Sequence, residues 1–468
     1  MKLALVSLNM DSGVPPLGLA YIASYIRKYA DFNNTIIIDK EDPIKRIEKE
    51  KPDVVGISTF SYGYDKVINL AKKIKETFDI PVIVGGPHIS LAPETFSDAF
   101  DMAIIGEGEQ TMMELVETEF VPSEKIKGLL FKKDGNMTFT GYRELIEPID
   151  KIPFPARDLL KMKEVYLIPR GVPFIHKKIV KGTHIITSRG CPYNCVFCSN
   201  QKFWGRKVRF HSPEYIIEEI KHLIKEYKIE YLGIYDDIFI ASKERLEKFS
   251  QLMVQEGLAG KIKMGCQGRT NLITPEICKL LKTAGVEAMD FGFESNSRKV
   301  LSYLKKNVTP ENNENAVKLC KEFGLMTGGF FIIGSPMETR EDVQETFKFI
   351  RTQPLDFAAV FFLAPFPGTE VGEYAKSRGL LPKIEDSERL VVGRAKDPVI
   401  LSEHLSKEEL FELMDEIEKD LMRINYGGVK LDLRNMFSVA FVRKLIKSRK
   451  KIFYYFRGNL YEFLRSRG

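Results

Sequence analysis

Short apolar runs alternate with amphipathic stretches over the first 120 residues. The runs at 2–7, 34–38, 54–57, 82–84 and 102–105 predict buried strands. Between them, 17–29, 43–50, 64–78 and 109–118 show helical spacing or solvated helical faces, and 93–99 allows a short helix. Five strands alternating with helices imply an α/β fold built on a doubly wound parallel sheet. Such a sheet binds ligands beyond the carboxyl ends of its strands.

From 120 to 182 the pattern is irregular and punctuated by Pro148, Pro153, Pro155, Pro169 and Pro173, which reads as a hairpin followed by a linker. A second alternation then begins. Strands are predicted at 184–187, 231–235, 262–266, 288–293, 327–333 and 357–363, with helices at 213–227, 243–256, 275–284, 310–323 and 340–351. Six βα units are too few for the eight of a closed barrel, so a partial, open TIM-like barrel is expected. From Ser402 the pattern is helical, with Ser406 as N-cap and a break near Tyr426-Gly427-Gly428. The expected division is a first domain at 1–140, a linker at 141–182, the partial barrel at 183–385 and a helical, basic C-terminal region at 386–468.

Composition sharpens this. The chain has 468 residues, 44% of them hydrophobic, which excludes a disordered chain. Its formal net charge of +6 is unevenly spread. Residues 430–468 hold eleven Lys/Arg against Asp432 and Glu462, so the preceding residues sum to slightly negative. The first residues lack a signal-peptide pattern and no stretch reaches about eighteen consecutive apolar residues, so a cytoplasmic protein is expected. The basic segment also carries apolar positions spaced by four, Phe437, Phe441 and Leu445, then Ile452, Phe456 and Leu460. Such a face either docks on the barrel or lies on an anionic membrane surface, leaving peripheral membrane contact possible. Without a stacking platform, nucleic acid is not an expected partner.

The candidate chemistry sits in the predicted βα turns. In the first domain these are Ser58-Thr59-Phe60-Ser61-Tyr62-Gly63, Gly85-Gly86-Pro87-His88 and Gly106-Glu107-Gly108-Glu109. Glycine there permits positive φ and close backbone approach to a ligand, although tight βα turns are often glycine-rich in any case. In the second region the loop after the first strand reads Ser188-Arg189-Gly190-Cys191-Pro192-Tyr193-Asn194-Cys195-Val196-Phe197-Cys198. Three thiolates within eight residues suit three corners of a cubane cluster and leave the fourth iron open, whereas a structural zinc site would want a fourth nearby ligand.

At these residues the chain resembles the radical S-adenosylmethionine superfamily, whose C-x-x-x-C-x-x-C loop matches Cys191, Cys195 and Cys198. The resemblance implies a [4Fe–4S] cluster on those cysteines, S-adenosylmethionine chelated to the open iron, an external electron donor and a 5′-deoxyadenosyl radical. It also nominates later strand ends as S-adenosylmethionine contacts: Phe197 near adenine, Asp236 of an acidic pair, Arg269, Glu294 and Ser295, and Gly334 with Pro336 in a glycine-rich turn. The first domain's turns, with Pro15-Pro16-Leu17-Gly18, resemble the cobalamin-binding domain that precedes the radical module in a large subfamily. This nominates Ser58, Thr59, Tyr62, Gly85, Gly86, Pro87, Gly106, Glu107 and Gly108 as cobalamin contacts. The D-x-H-x-x-G signature is absent, since the loop after the first strand reads Asn9-Met10-Asp11-Ser12-Gly13-Val14. Cobalamin is therefore expected without a histidine ligand below cobalt; His88 reads better as a turn residue. Cys266, Cys278 and Cys320 are isolated and read as core residues rather than a second cluster.

The implied function is C-methylation of an unactivated carbon in a small-molecule or lipid substrate, by transfer of a methyl group from methylcobalamin to a substrate radical. A cobalamin-dependent oxidative cyclase or rearrangement enzyme is the alternative within the family. A non-catalytic corrinoid or electron carrier is the alternative outside it.

Overall fold

The computed structural model describes residues 1–8, 13–167, 181–390 and 397–426. The loop at 9–12 and the basic C-terminal segment from 427 lie outside the described residues, as do the second helix and the membrane face expected of that segment.

The first domain is one seven-stranded sheet: β1 Leu3–Val6, β2 Thr35–Ile38, β3 Val54–Ser58, β4 Val82–Gly85, β5 Met102–Ile104, β6 Leu129–Lys133 and β7 Asn136–Phe139. The order is β2-β1-β3-β4-β5-β6-β7, with the first five parallel and the hairpin β6–β7 added antiparallel at the edge. Helices cover both faces. Leu17–Tyr29 and Glu109–Glu117 bury Ala23, Ile26, Met112 and Leu115 on one side, and Pro43–Glu50 and Tyr64–Phe78 bury Ile47, Val67 and Ile74 on the other. The doubly wound expectation is thus met, with the hairpin as an addition. Strand order reverses at β1, where adjacent connections leave to opposite sides and open a crevice at the carboxyl ends.

Residues 141–167 are more than a connector. Ile146, Ile149 and Ile152 pack into a core with Leu17, Tyr21 and Tyr25 of the first domain. Arg157 reaches the barrel, pairing with buried Glu219 at 3.0 Å and donating to the His184 carbonyl at 2.7 Å.

The second domain is an open six-stranded parallel sheet with strands in sequential order. It contains β8 Gly182–Ile185, β11 Tyr231–Ile234, β12 Lys263–Gly268, β13 Val286–Glu294, β14 Met326–Ile333 and β15 Phe357–Phe362. Between β8 and β11, a small antiparallel pair, β9 Ser188–Arg189 with β10 Arg209–Phe210, brackets the cysteine loop. Three helices begin on Ser/Thr-Pro: Ser212-Pro213, Thr274-Pro275 and Thr309-Pro310. In each, the hydroxyl accepts from an otherwise unpaired N–H and the proline sits where none is needed. The last described helix, Lys407–Tyr426, packs Leu410, Leu413 and Ile417 against the barrel. Its Asn425 side chain exchanges two 2.9 Å hydrogen bonds with the backbone of Ala358, occupying the free edge of β15. Among the described residues no helix is long and apolar enough to cross a membrane.

Candidate active site

The cysteine loop is fastened on both sides. Gly190 takes φ +101°, and a Cβ there would lie 2.3 Å from the Lys207 carbonyl oxygen, so only glycine fits against the segment that leads into β10. Farther on, Val196 donates to Leu304 O and accepts from Val371 N, both at 3.1 Å. The Cys198 N–H bonds to Cys195 O at 3.1 Å, closing the turn that carries the second and third thiols. All three thiols interact electrostatically. Burial pushes the Cys198 thiol up to about 11 and raises Cys191 as well. Thiols so placed stay protonated unless a cation compensates them, and iron supplies that charge. The chemistry of three free thiols in one loop suits a cluster that spreads its irons among them, although no three ligating side chains among the described residues converge on a single ion position.

The other nominated residues divide. Arg269 lies beside Cys195, with Nη1 3.7 Å from Sγ and the guanidinium stacked 3.5 Å from the Tyr193 ring centre. Glu294 sits in a β-bulge at φ +63°, where its carboxylate accepts from Lys306 Nζ at 2.7 Å. Gly334, at φ +89°, and Ser335 donate backbone N–H groups to Glu338 at 2.6 and 3.0 Å. Pro336 is buried in that turn, and Phe197 is half-buried against Val196, Val300 and Leu304.

Two expected contacts have other duties. Asp236 is 1% exposed and its two oxygens accept from the N–H and hydroxyl of Thr187 and from Ser188 N, stapling the β8–β9 turn. The next residue, Asp237, instead bonds the Asn200 side chain and the Gly190 backbone, within the cysteine loop. Ser295 is fully buried, bonded to Thr346 Oγ1 at 2.9 Å and to Ser297 N at 3.1 Å.

In the first domain, a cavity of about 440 Å³ opens at the carboxyl ends of β1, β3, β4 and β5. Ser58, Gly85, Gly86, Pro87, Gly106, Glu107 and Gly108 all line it. The far wall comes from the barrel: Ile186, Arg189, Trp204, Tyr235 and Asp237. Thr59 and Tyr62 are corrections. Thr59 is buried in the core, its hydroxyl donating to Gly85 O at 2.8 Å, and Tyr62 is 49% exposed outside the cavity, where Phe60 takes its place. His88 is likewise buried, its ring nitrogens 3.0 Å from Ser61 Oγ and 3.2 Å from Thr95 Oγ1, so it is committed to the core. A largely apolar, glycine-floored cleft of this size fits a cofactor arm.

A buried ionic clamp joins the two domains through a pairing that no motif singles out. Arg189 bonds Glu107 and Glu109, both at 2.6 Å, and Arg209 bonds Glu107 at 2.8 Å. Trp204 lies under both guanidiniums, 5.3 and 5.7 Å from its ring. Burial alone would raise the Glu107 carboxyl, but the Arg189 and Arg209 charges outweigh it and hold it below the ordinary carboxylate value. Glu107 thus serves less as a ligand contact than as the link from the cavity wall to the residue two before Cys191.

The comparisons agree with this anatomy. Residues 185–350 match the radical SAM superfamily model and residues 4–116 the B12 binding domain model. The chain is 37% identical over 438 residues to an uncharacterized methyltransferase, PH0819, of Pyrococcus horikoshii, covering 88% of this chain and 91% of that protein. It is 28% identical over 378 residues to the anaerobic magnesium-protoporphyrin IX monomethyl ester cyclase of Rubrivivax gelatinosus, covering 76% of this chain and 65% of that one. Among solved structures, the methyltransferase TsrM of Kitasatospora setae superposes with a TM-score of 0.66 at 20% identity, over 81% of this chain and 76% of that one. The chain belongs to the radical SAM superfamily, in the branch with an N-terminal B12 binding domain. It is an enzyme whose cofactors are a [4Fe–4S] cluster, S-adenosylmethionine and cobalamin.

Proposed function

We propose that the protein C-methylates an unactivated carbon of a small molecule held between its two domains. The observation that carries this reading is the shared wall. Tyr235 and Asp237 line the cavity of the first domain, and the Asp237 carboxylate also bonds the backbone of Gly190 next to Cys191, which supports reading the two cofactor sites as facing one cleft. When bound, the cluster with S-adenosylmethionine supplies a hydrogen-abstracting radical and cobalamin supplies the methyl group. The chain's own part is to place and enclose them.

Cys191, Cys195 and Cys198 would hold the cluster. Glu294 with Lys306 and Arg269 offer opposite charges to the amino and carboxylate groups of S-adenosylmethionine. Gly334, Pro336 and Phe197 would flank its adenine. Ser58, Gly85, Gly86, Pro87, Gly106 and Gly108 would border the nucleotide tail of cobalamin. Glu107 would act through the clamp.

The test is anaerobic reconstitution with iron, sulfide and hydroxocobalamin, reduction, and mass spectrometry of extracts treated with isotopically methyl-labelled S-adenosylmethionine. A product gaining the labelled methyl supports the reading. A product that loses hydrogens without the label favours cyclisation, the activity named for the Rubrivivax relative. Absence of 5′-deoxyadenosine would point to a carrier instead.

A further inference from the structure

Residues alternate between the two faces of the barrel sheet. Ile234, Cys266, Met289 and Phe331 belong to the core beneath the outer helices. Their neighbours Tyr235, Gln267, Asp290 and Phe330 therefore face the concave interior. Met289, Phe291 and Phe331 are fully buried, whereas Gln267, Asp290, Phe330, Phe357 and Phe361 keep partial exposure, so solvent reaches the inner face.

Strand register arranges this face. Gln267, Asp290, Gly328 and Phe357 are consecutive partners across β12 to β15. Gly328 has no side chain, so the Asp290 carboxyl and the Phe357 ring stand on either side of a bare position. Phe330 continues the aromatic side, 5.8 Å from Phe357 and stacked 6.1 Å from Phe361. On the polar side, His184 lies against the Tyr235 ring at 4.0 Å and over Gly233, where a Cβ would come within 2.4 Å of its imidazole.

Three of these polar atoms are unsatisfied. Asp290 Oδ1 and both ring nitrogens of His184 are buried without a hydrogen-bond partner. Nearby cations, by contrast, are engaged: Lys306 with Glu294 at 2.7 Å, Lys263 with Glu287 at 3.1 Å, and Arg269 with the Lys306 carbonyl. Among the described residues the inner face thus carries a carboxyl without a cation. Burial, with nothing opposing it, pushes that carboxyl up to about 7. A ligand bringing a positive charge would remove the desolvation penalty that no side chain offsets.

We propose that Asp290 recognises the substrate, and that the substrate class is an amine whose protonated nitrogen pairs with Asp290 while a flat apolar body lies against Phe330, Phe357 and Phe361. This rests on the preceding functional reading, which holds the substrate between the domains, and adds that its amine end reaches down into the barrel. The nitrogen would anchor the molecule at Asp290, four residues before Glu294 on β13, holding the carbon to be methylated toward the cleft.

The test uses the full chain, reconstituted with cluster and cobalamin, and two probes that differ only in the group at issue, phenethylamine and phenethyl alcohol. By equilibrium dialysis at neutral pH the amine should bind at least about tenfold more tightly, one decade in dissociation constant. Asp290→Asn should abolish that preference while the cluster absorption and the uncoupled cleavage of S-adenosylmethionine persist. Phe357→Ala should weaken both probes alike. Equal binding of the two by the unaltered enzyme, no binding of the amine, or a preference that survives Asp290→Asn overturns the proposal. Loss of 5′-deoxyadenosine formation by the unaltered enzyme would instead count against the functional reading, through a separate measurement.

Discussion

Cys195 is 6% exposed and flanked by Arg269, so its thiol has no role in packing that alanine could not approximate. Cys195→Ala should leave a folded protein that lacks the broad visible absorption of the cluster and yields no 5′-deoxyadenosine; retention of either contradicts the ligand assignment. Gly190→Ala should be worse for the fold, because positive φ and a 2.3 Å contact with the Lys207 backbone both oppose a side chain. Glu338 makes a pH prediction. Burial raises its carboxyl to about 8 in the folded protein. For an acid raised in this way, its contribution to stability is fully present below the ordinary carboxylate value and is lost as pH rises through about 8. Glu338→Gln keeps an acceptor for Gly334 and Ser335 without the charge, so thermal unfolding between pH 5 and 9, a range of about four units around that value, should vary less than in the unaltered chain. Individual site residues were unevenly legible. The cysteines were readable because cluster ligands must lie close in sequence to share a loop. Asp236 and Asp237 were not separable, since which carboxylate staples the β8–β9 turn and which bonds the cysteine loop depends on how β11 ends.

The βα turns and the strands that precede them work as paired units. The turn Gly106-Glu107-Gly108-Glu109 looked like a cofactor loop, and its glycines do line the cavity. Its two carboxylates instead grip Arg189 and Arg209, so this turn and the β9–β10 pair hold the cysteine loop against the first domain. Arg189→Met should destabilise by about 3–5 kcal/mol in denaturant unfolding, the usual result of leaving a buried charge unpaired. Adding Glu109→Gln to that variant should recover part of the loss, and a strictly additive pair would argue against the clamp. The strands themselves were legible because both faces of a parallel sheet are covered, which writes continuous apolar runs into the chain. The clamp was not, because four charged residues spread over about a hundred positions bear no periodic signature.

For the molecule as a whole, the excess basic charge at 430–468 lies outside the described residues and outside both family matches. Removing 430–468 should therefore leave cluster content and S-adenosylmethionine cleavage unchanged, as read from visible absorption and 5′-deoxyadenosine formation. The two α/β units and the open barrel were legible in local patterns, apolar runs at strand length with glycine turns after them, whereas S-adenosylmethionine and cobalamin were implied by the family resemblance that the three closely spaced thiols and the turns carry. Those features are written within a few residues of one another, where backbone sterics and ligand geometry act directly. The shared cleft, the Arg189 clamp and the unpaired Asp290 opposite Phe357 depend on register and on contacts between distant segments. Such contacts form only when burial of the two sheets brings the segments together, and no spacing along the chain encodes which side chains then meet.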